Sequence, residues 1–161
     1  MKKIPIGVDD FKKLIENNAL YIDKTKFIIE LLDDAAEVKL FTRPRRFGKT
    51  LNMSTLKYFF DIKNANENRR LFNGLDIEKS VYISEQGKYP VIFISMKGIK
   101  TKDWEHCLYD LKGLIGDLYN EFEYIREVLN ESELNTFNKI WLKEDIAEYK
   151  NTLKILTTYL Y

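Results

Sequence analysis

Cysteine, histidine, proline and glycine are all scarce in this chain of 161 residues: one Cys, one His, three Pro and seven Gly. The single cysteine, Cys107, excludes an intrachain disulfide and makes a reducing, cytoplasmic setting the expectation. His106 adjoins it and Asp103 lies close by, but a zinc site needs about four ligands at suitable spacing and no second cluster exists. A catalytic Cys107–His106 pair is not expected either, because neighbours on a helix point in different directions. No internal repeat or low-complexity tract is present. No apolar run approaches the ~20 residues of a membrane span, so no membrane partner is expected. Met1-Lys2-Lys3 is not followed by the apolar stretch of a signal peptide. Net charge is nearly absent too: 26 basic against 25 acidic residues leave +1, with no global field to draw in nucleic acid or membrane.

Positive charge is concentrated instead. Lys39, Arg43, Arg45, Arg46 and Lys49 fall in a stretch without acids that overlaps the run Phe41-Thr42-Arg43-Pro44-Arg45-Arg46-Phe47-Gly48-Lys49-Thr50. The run has the tail of a phosphate-binding loop. An apolar segment, Val38 to Phe41, precedes it, and a helical pattern with Leu51, Met53, Leu56, Phe59 and Phe60 follows. Strand, loop, Gly-Lys-Thr and helix is the order such a loop requires. Gly48 would let the backbone approach a polyphosphate, Lys49 would set its charge against the β- and γ-phosphates, and the Thr50 hydroxyl would meet Mg²⁺. The opening helical turn would aim N–H groups at the anion. Arg43 stands where the usual first glycine would be, a position that normally exploits backbone angles closed to other residues.

Along the chain, Ile4-Pro5-Ile6-Gly7 reads as extended or turn. Asp9 or Asp10 caps a short helix carrying Phe11, Leu14 and Ile15, and Asp23 caps a second with Phe27, Ile28, Leu31 and Leu32. The strand Val38–Thr42 and a helix from about Lys49 to Phe60 come next. Residues 61–88 read as irregular, with a helical turn near Asn68–Phe72 and a turn at Asn73-Gly74. Tyr89 to Ser95 has the continuous apolar centre of a strand buried on both faces of a parallel sheet. A long helix over about Lys102–Tyr124, mildly interrupted at Gly113 and Gly116, precedes helices over Glu131–Leu142 and Asp145–Tyr161. The fold class expected is α/β, a helix-rich three-layer phosphate-loop domain present only in part.

Hydrolysis on such a loop needs a further apolar strand ending in an acid that holds Mg²⁺. Val91 to Ile94 runs into Ser95-Met96, and Asp103, Glu105 and Asp117 lie on a helical pattern as solvated or capping residues. The 161 residues are therefore expected to bind nucleotide weakly at best and to hydrolyse essentially none.

The chain resembles the bacterial and archaeal AAA-ATPase-like family, whose members join such an N-terminal domain to a C-terminal nuclease-like domain of the PD-(D/E)XK superfamily. The resemblance rests on Ile4-Pro5-Ile6-Gly7 with Asp10-Phe11, on Tyr21-Ile22-Asp23-Lys24-Thr25, on Thr42 to Leu51 with its Arg-Pro-Arg-Arg-Phe-Gly-Lys-Thr core, and on Tyr89-Pro90-Val91-Ile92. It implies that the non-glycine first position is a family trait. It also implies that residues 1–161 are the N-terminal part of the domain, ending before the Walker B strand. ATP and Mg²⁺ are the implied cofactors, and a missing C-terminal portion with the nuclease-like domain is the implied partner. AAA-type modules often close into rings, which adds a homo-oligomer to the implied partners.

Carried onto this sequence, the nucleotide would be held by Arg43, Pro44, Arg45, Arg46, Phe47, Gly48, Lys49, Thr50 and Leu51, with Mg²⁺ at Thr50. Ile6 and Gly7 would lie on the adenine side. Arg43, Arg45 and Arg46 have no fixed role in the standard loop; they would face the phosphates or pin the loop against Asp23 or a partner. The rival expectation is a degenerate phosphate-loop module that binds protein or nucleic acid through Arg43–Arg46, since arginine grips phosphate in bidentate fashion.

Overall fold

The computed structural model describes residues 3–42, 44, 47–101, 103–144 and 147–161. The chain divides into two compact units, Met1–Val91 and Ile92–Tyr161. The boundary falls inside the run whose composition suggested a buried strand.

In the first unit, α1 (Phe11–Glu16) starts where the sequence places it. The Asp10 carboxylate accepts the Lys13 amide at 2.9 Å, satisfying one of the donors that a helix start leaves over. The same carboxylate accepts the Tyr58 hydroxyl at 3.0 Å, tying α1 to α3 (Lys49–Phe60). A second tie is buried: the Phe11 amide donates to Ser54 Oγ at 2.7 Å. Phe11, Ile28, Phe59, Leu71, Phe72 and Ile77 form the core. Phe72 sits at its centre, with ring centroids 5.2 Å from Phe11 and 5.3 Å from Phe59, the latter edge to face. Residues 61–88 are more ordered than their polarity suggests. Here α4 (Ala65–Arg69) leads into short 3-10 turns over Arg70–Phe72, Asp76–Lys79 and Val81–Glu85.

Asp23 does not cap α2 (Lys26–Asp33) in the expected way. Its Oδ1 accepts both the Thr25 amide and the Thr25 hydroxyl at 2.8 Å, while Oδ2 accepts the Asp76 amide at 2.7 Å. The buried Thr25 Oγ1 in turn accepts the Ile77 amide at 3.1 Å. The pair stitches the start of α2 to a turn some fifty residues later.

The α/β three-layer fold expected from the sequence is overturned. Among the described residues the protein is helical, and β pairing is limited to two isolated parallel bridges, Lys3–Ala19 and Asp61–Tyr89. Neither apolar run finds a ladder partner, and unpaired strands have no independent stability. Val38 and Leu40 are each 85% exposed instead of buried in a sheet. Tyr89 follows the end of α3: its amide donates to the Phe60 carbonyl at 3.0 Å, and its carbonyl accepts the Ile62 amide at 2.8 Å. That segment satisfies orphan groups of a helix terminus instead of joining a sheet.

The second unit is built on α5 (Trp104–Glu121), α6 (Glu131–Trp141) and α7 (Thr152–Leu160), with 3-10 turns at Glu123–Glu127 and Ala147–Asn151. The helix expected over Asp145–Tyr161 is thus a short turn followed by α7; Asp145, like Lys102 at the expected start of α5, lies outside the described residues. Asp103 caps α5, accepting the His106 amide at 2.9 Å and facing its ring Nδ1 at 2.6 Å. A reciprocal capping box of Asn130 and Glu133, both bonds 3.0 Å, starts α6. The core gathers Ile115, Leu118, Tyr119, Phe122, Ile125, Phe137, Ile140 and Leu156, and the Tyr119 hydroxyl donates to the Thr152 carbonyl at 2.7 Å. Gly113 and Gly116 do not interrupt α5. A β-carbon at Gly116 would lie 3.1 Å from the Trp141 carbonyl and 2.7 Å from the Lys143 stem, whereas one at Gly113 would meet nothing within 4 Å. Gly116 therefore allows the end of α6 to come close.

Three outcomes follow from this packing. Asp23→Ala strands two backbone amides and a hydroxyl, so denaturant unfolding should show a loss of about 1–3 kcal/mol. Gly113→Ala should gain up to about 1 kcal/mol of helix stability, while Gly116→Ala should show no gain or a loss. Burial, then the Asp10 hydrogen bond, pushes the Tyr58 hydroxyl from its ordinary 10.0 up to about 12. The folded state holds that proton more tightly, so this contribution is complete below pH 10 and fades as pH rises toward 12. Alkaline unfolding monitored by circular dichroism should therefore show a shallower decline between pH 10 and 12 for Tyr58→Phe than for wild type.

Candidate functional site

The Gly-Lys-Thr turn sits at the start of α3. Gly48 is the N-cap residue with φ +73° and ψ +19°, the left-handed region that favours glycine, and as a glycine it has no side chain with which to cap the helix. Its carbonyl accepts the Asn52 amide at 2.9 Å, so the helix closes its first turn directly behind it. Lys49 and Thr50 open the helix, and both are exposed. Leu51 turns inward and packs against the core of the first unit. The first amides of a helix have no intrahelical acceptor, and together with the helix dipole they favour an anion at this end. The donor set present, helix-start amides with one lysine and one hydroxyl, suits a phosphate chain and its Mg²⁺.

The remaining expected residues are placed as follows. Pro44 is exposed, and Phe47 is 62% exposed. Arg43, Arg45 and Arg46 lie outside the described residues. Ile6 is 91% exposed, and neither it nor Gly7 lines the cavity found beside Lys49. Lys39 is committed within its own segment: its Nζ lies 2.7 Å from Asp34 Oδ2 and 2.7 Å from the Asp34 carbonyl. Its hydrogen bond, with that of the Ala36 amide, holds the exposed Asp34 carboxyl below the usual carboxylate range.

The sequence reading missed that cavity. It measures about 240 Å³ and runs along one face of α3, where Lys49, Asn52, Met53 and Leu56 project. The stem of Lys39 and the rings of Phe27 and Phe41 complete it, the two rings edge to face with centroids 6.5 Å apart. In sequence Phe27 belongs to the apolar stripe of α2, and Met53 and Leu56 belong to the apolar pattern of α3. The available signal was spacing: positions 49, 52, 53 and 56 are i, i+3, i+4 and i+7, one helix face beginning at the lysine. No helix among the described residues is long and apolar enough to cross a membrane.

Comparison with known proteins gives the family. A profile of the AAA-ATPase-like family, described as "Predicted AAA-ATPase", matches residues 5–158. The chain is also similar to an "Uncharacterized protein in vnfD 5'region" of Azotobacter chroococcum mcd 1, with 36% identity over 118 residues. That match covers 73% of this chain and 20% of the relative, so the present chain spans about a fifth of that protein's length. No solved structure matches the chain at a significant level. With a family match running almost from end to end, the chain belongs to the AAA-ATPase-like family.

Proposed function

We propose that the start of α3 binds the phosphate chain of a nucleotide, ATP with Mg²⁺ being the form that family membership favours. The observation that carries this reading is the left-handed Gly48 at the head of α3, an N-cap residue with no side chain to cover the first amides, followed directly by Lys49 and Thr50. In this reading Lys49 meets the β- and γ-phosphates, the Thr50 hydroxyl meets Mg²⁺, and the amides from Gly48 to Leu51 surround the phosphate oxygens. None of these contacts requires a sheet behind the turn, because helix-end amides and a lysine suffice to hold an anion. Binding is the role assigned to these 161 residues. Hydrolysis, and the control of a nuclease-like domain by nucleotide occupancy, are assigned to the longer protein and rest on the resemblance alone. A cytoplasmic setting accords with the lone Cys107.

Calorimetric titration of ATP·Mg²⁺ tests the assignment. Lys49→Ala should abolish measurable binding while leaving the far-ultraviolet dichroism unchanged, since Lys49 is exposed and outside the core. Unchanged affinity in that variant discards the reading.

A further inference from the structure

The geometry points to the cavity behind Lys49 as the seat of the nucleotide's base and sugar, a role expected from sequence for Ile6 and Gly7. This inference rests on the phosphate reading of the Gly48–Thr50 turn. What it adds is the cavity that adjoins that turn. The cavity opens from Lys49 and runs along α3 to Leu56, seven residues on, which is about 10 Å of helix axis. That length lays a phosphate chain at one end and a ring system at the other. Whole ligands of drug size occupy roughly 300–1,000 Å³. At about 240 Å³ the cavity is suited to part of a ligand, leaving the rest outside at the helix mouth.

Its chemistry grades in the same direction. Lys49 is at the mouth, and Phe27, Phe41, Met53 and Leu56 form an apolar, polarisable lining further in. A thioether and aromatic rings are favourable neighbours for a flat π-system. Asn52 contributes an amide group within that lining, with two donors and one acceptor to set against the polar edge of a nucleobase. Phe41 and Met53 are partly exposed, so the walls are reachable from solvent. Ile6, by contrast, is exposed and lies outside this lining.

The test compares ATP·Mg²⁺ with inorganic tripolyphosphate·Mg²⁺ on the full chain by calorimetry. Wild type should bind ATP at least roughly tenfold more tightly, on the ordinary yield per buried ligand atom. Met53→Trp, which fills the cavity from a partly exposed position, should remove roughly tenfold or more of the ATP affinity and leave tripolyphosphate within about twofold. Phe41→Ala, which opens the opposite wall, should weaken ATP selectively in the same way and serves if the tryptophan variant does not fold. Equal wild-type affinity for the two probes overturns the base assignment and leaves the phosphate reading standing. So does ATP affinity indifferent to the cavity variants, or a loss shared equally by both probes. A wild-type protein that binds neither probe overturns the phosphate reading and this inference together.

Discussion

The first unit depends on how α3 is held. Ser54 takes the Phe11 amide in the interior, Tyr58 reaches Asp10, Phe59 packs edge to face on Phe72, and Tyr89 satisfies the end of the helix. All of these contacts fall on its middle and C-terminal turns. The first turn begins at a left-handed glycine, whose lack of a side chain leaves it unable to cap the helix. A helix anchored by its far end can present its amide-rich end without reorganising when an anion arrives, and preorganised donors of this kind bind at lower cost. Rigidity behind and openness in front are two results of the same packing.

Much of the helical content was legible because its causes are local. Asp10 before Phe11 and Leu14, and Asn130 before Glu133, are start signals complete within four residues. The start of α3 at Lys49 belongs to the same class. The misreadings share the opposite property, since each needed information from far along the chain. Val38 to Thr42 and Tyr89 to Ser95 have strand composition, but composition cannot say whether a neighbour will pair with them. Both remain outside any ladder, and the second instead finishes α3 and crosses into the next unit. Asp23 looked like a helix cap because an acid ahead of an apolar stripe usually is one; its partner at Asp76 leaves no trace nearby in sequence.

The candidate site divides along the same line. The turn of Gly48, Lys49 and Thr50 is contiguous, so motif and structure can be laid over one another. The cavity behind it is assembled from α2, from residues 39–41 and from α3, and only the last contribution has a readable period. Its aromatic walls were indistinguishable in sequence from ordinary core, because packing and ligand contact ask for the same side chains. The family match spans residues 5–158 and so includes both the turn and the elements that wall the cavity.

The Asp23 stitch also orders events in time. Asp23 Oδ2 awaits an amide 53 residues downstream, and Thr25 Oγ1 awaits one 52 residues downstream. Contacts of such separation form late, because the intervening loop must first be closed. On the ribosome, α1, α2 and α3 all emerge before Asp76 and Ile77 exist to lock them. The nascent N-terminal half therefore waits unsealed until that turn has been synthesised, and a chain interrupted anywhere short of it would leave Asp23 and Thr25 bonded only to each other.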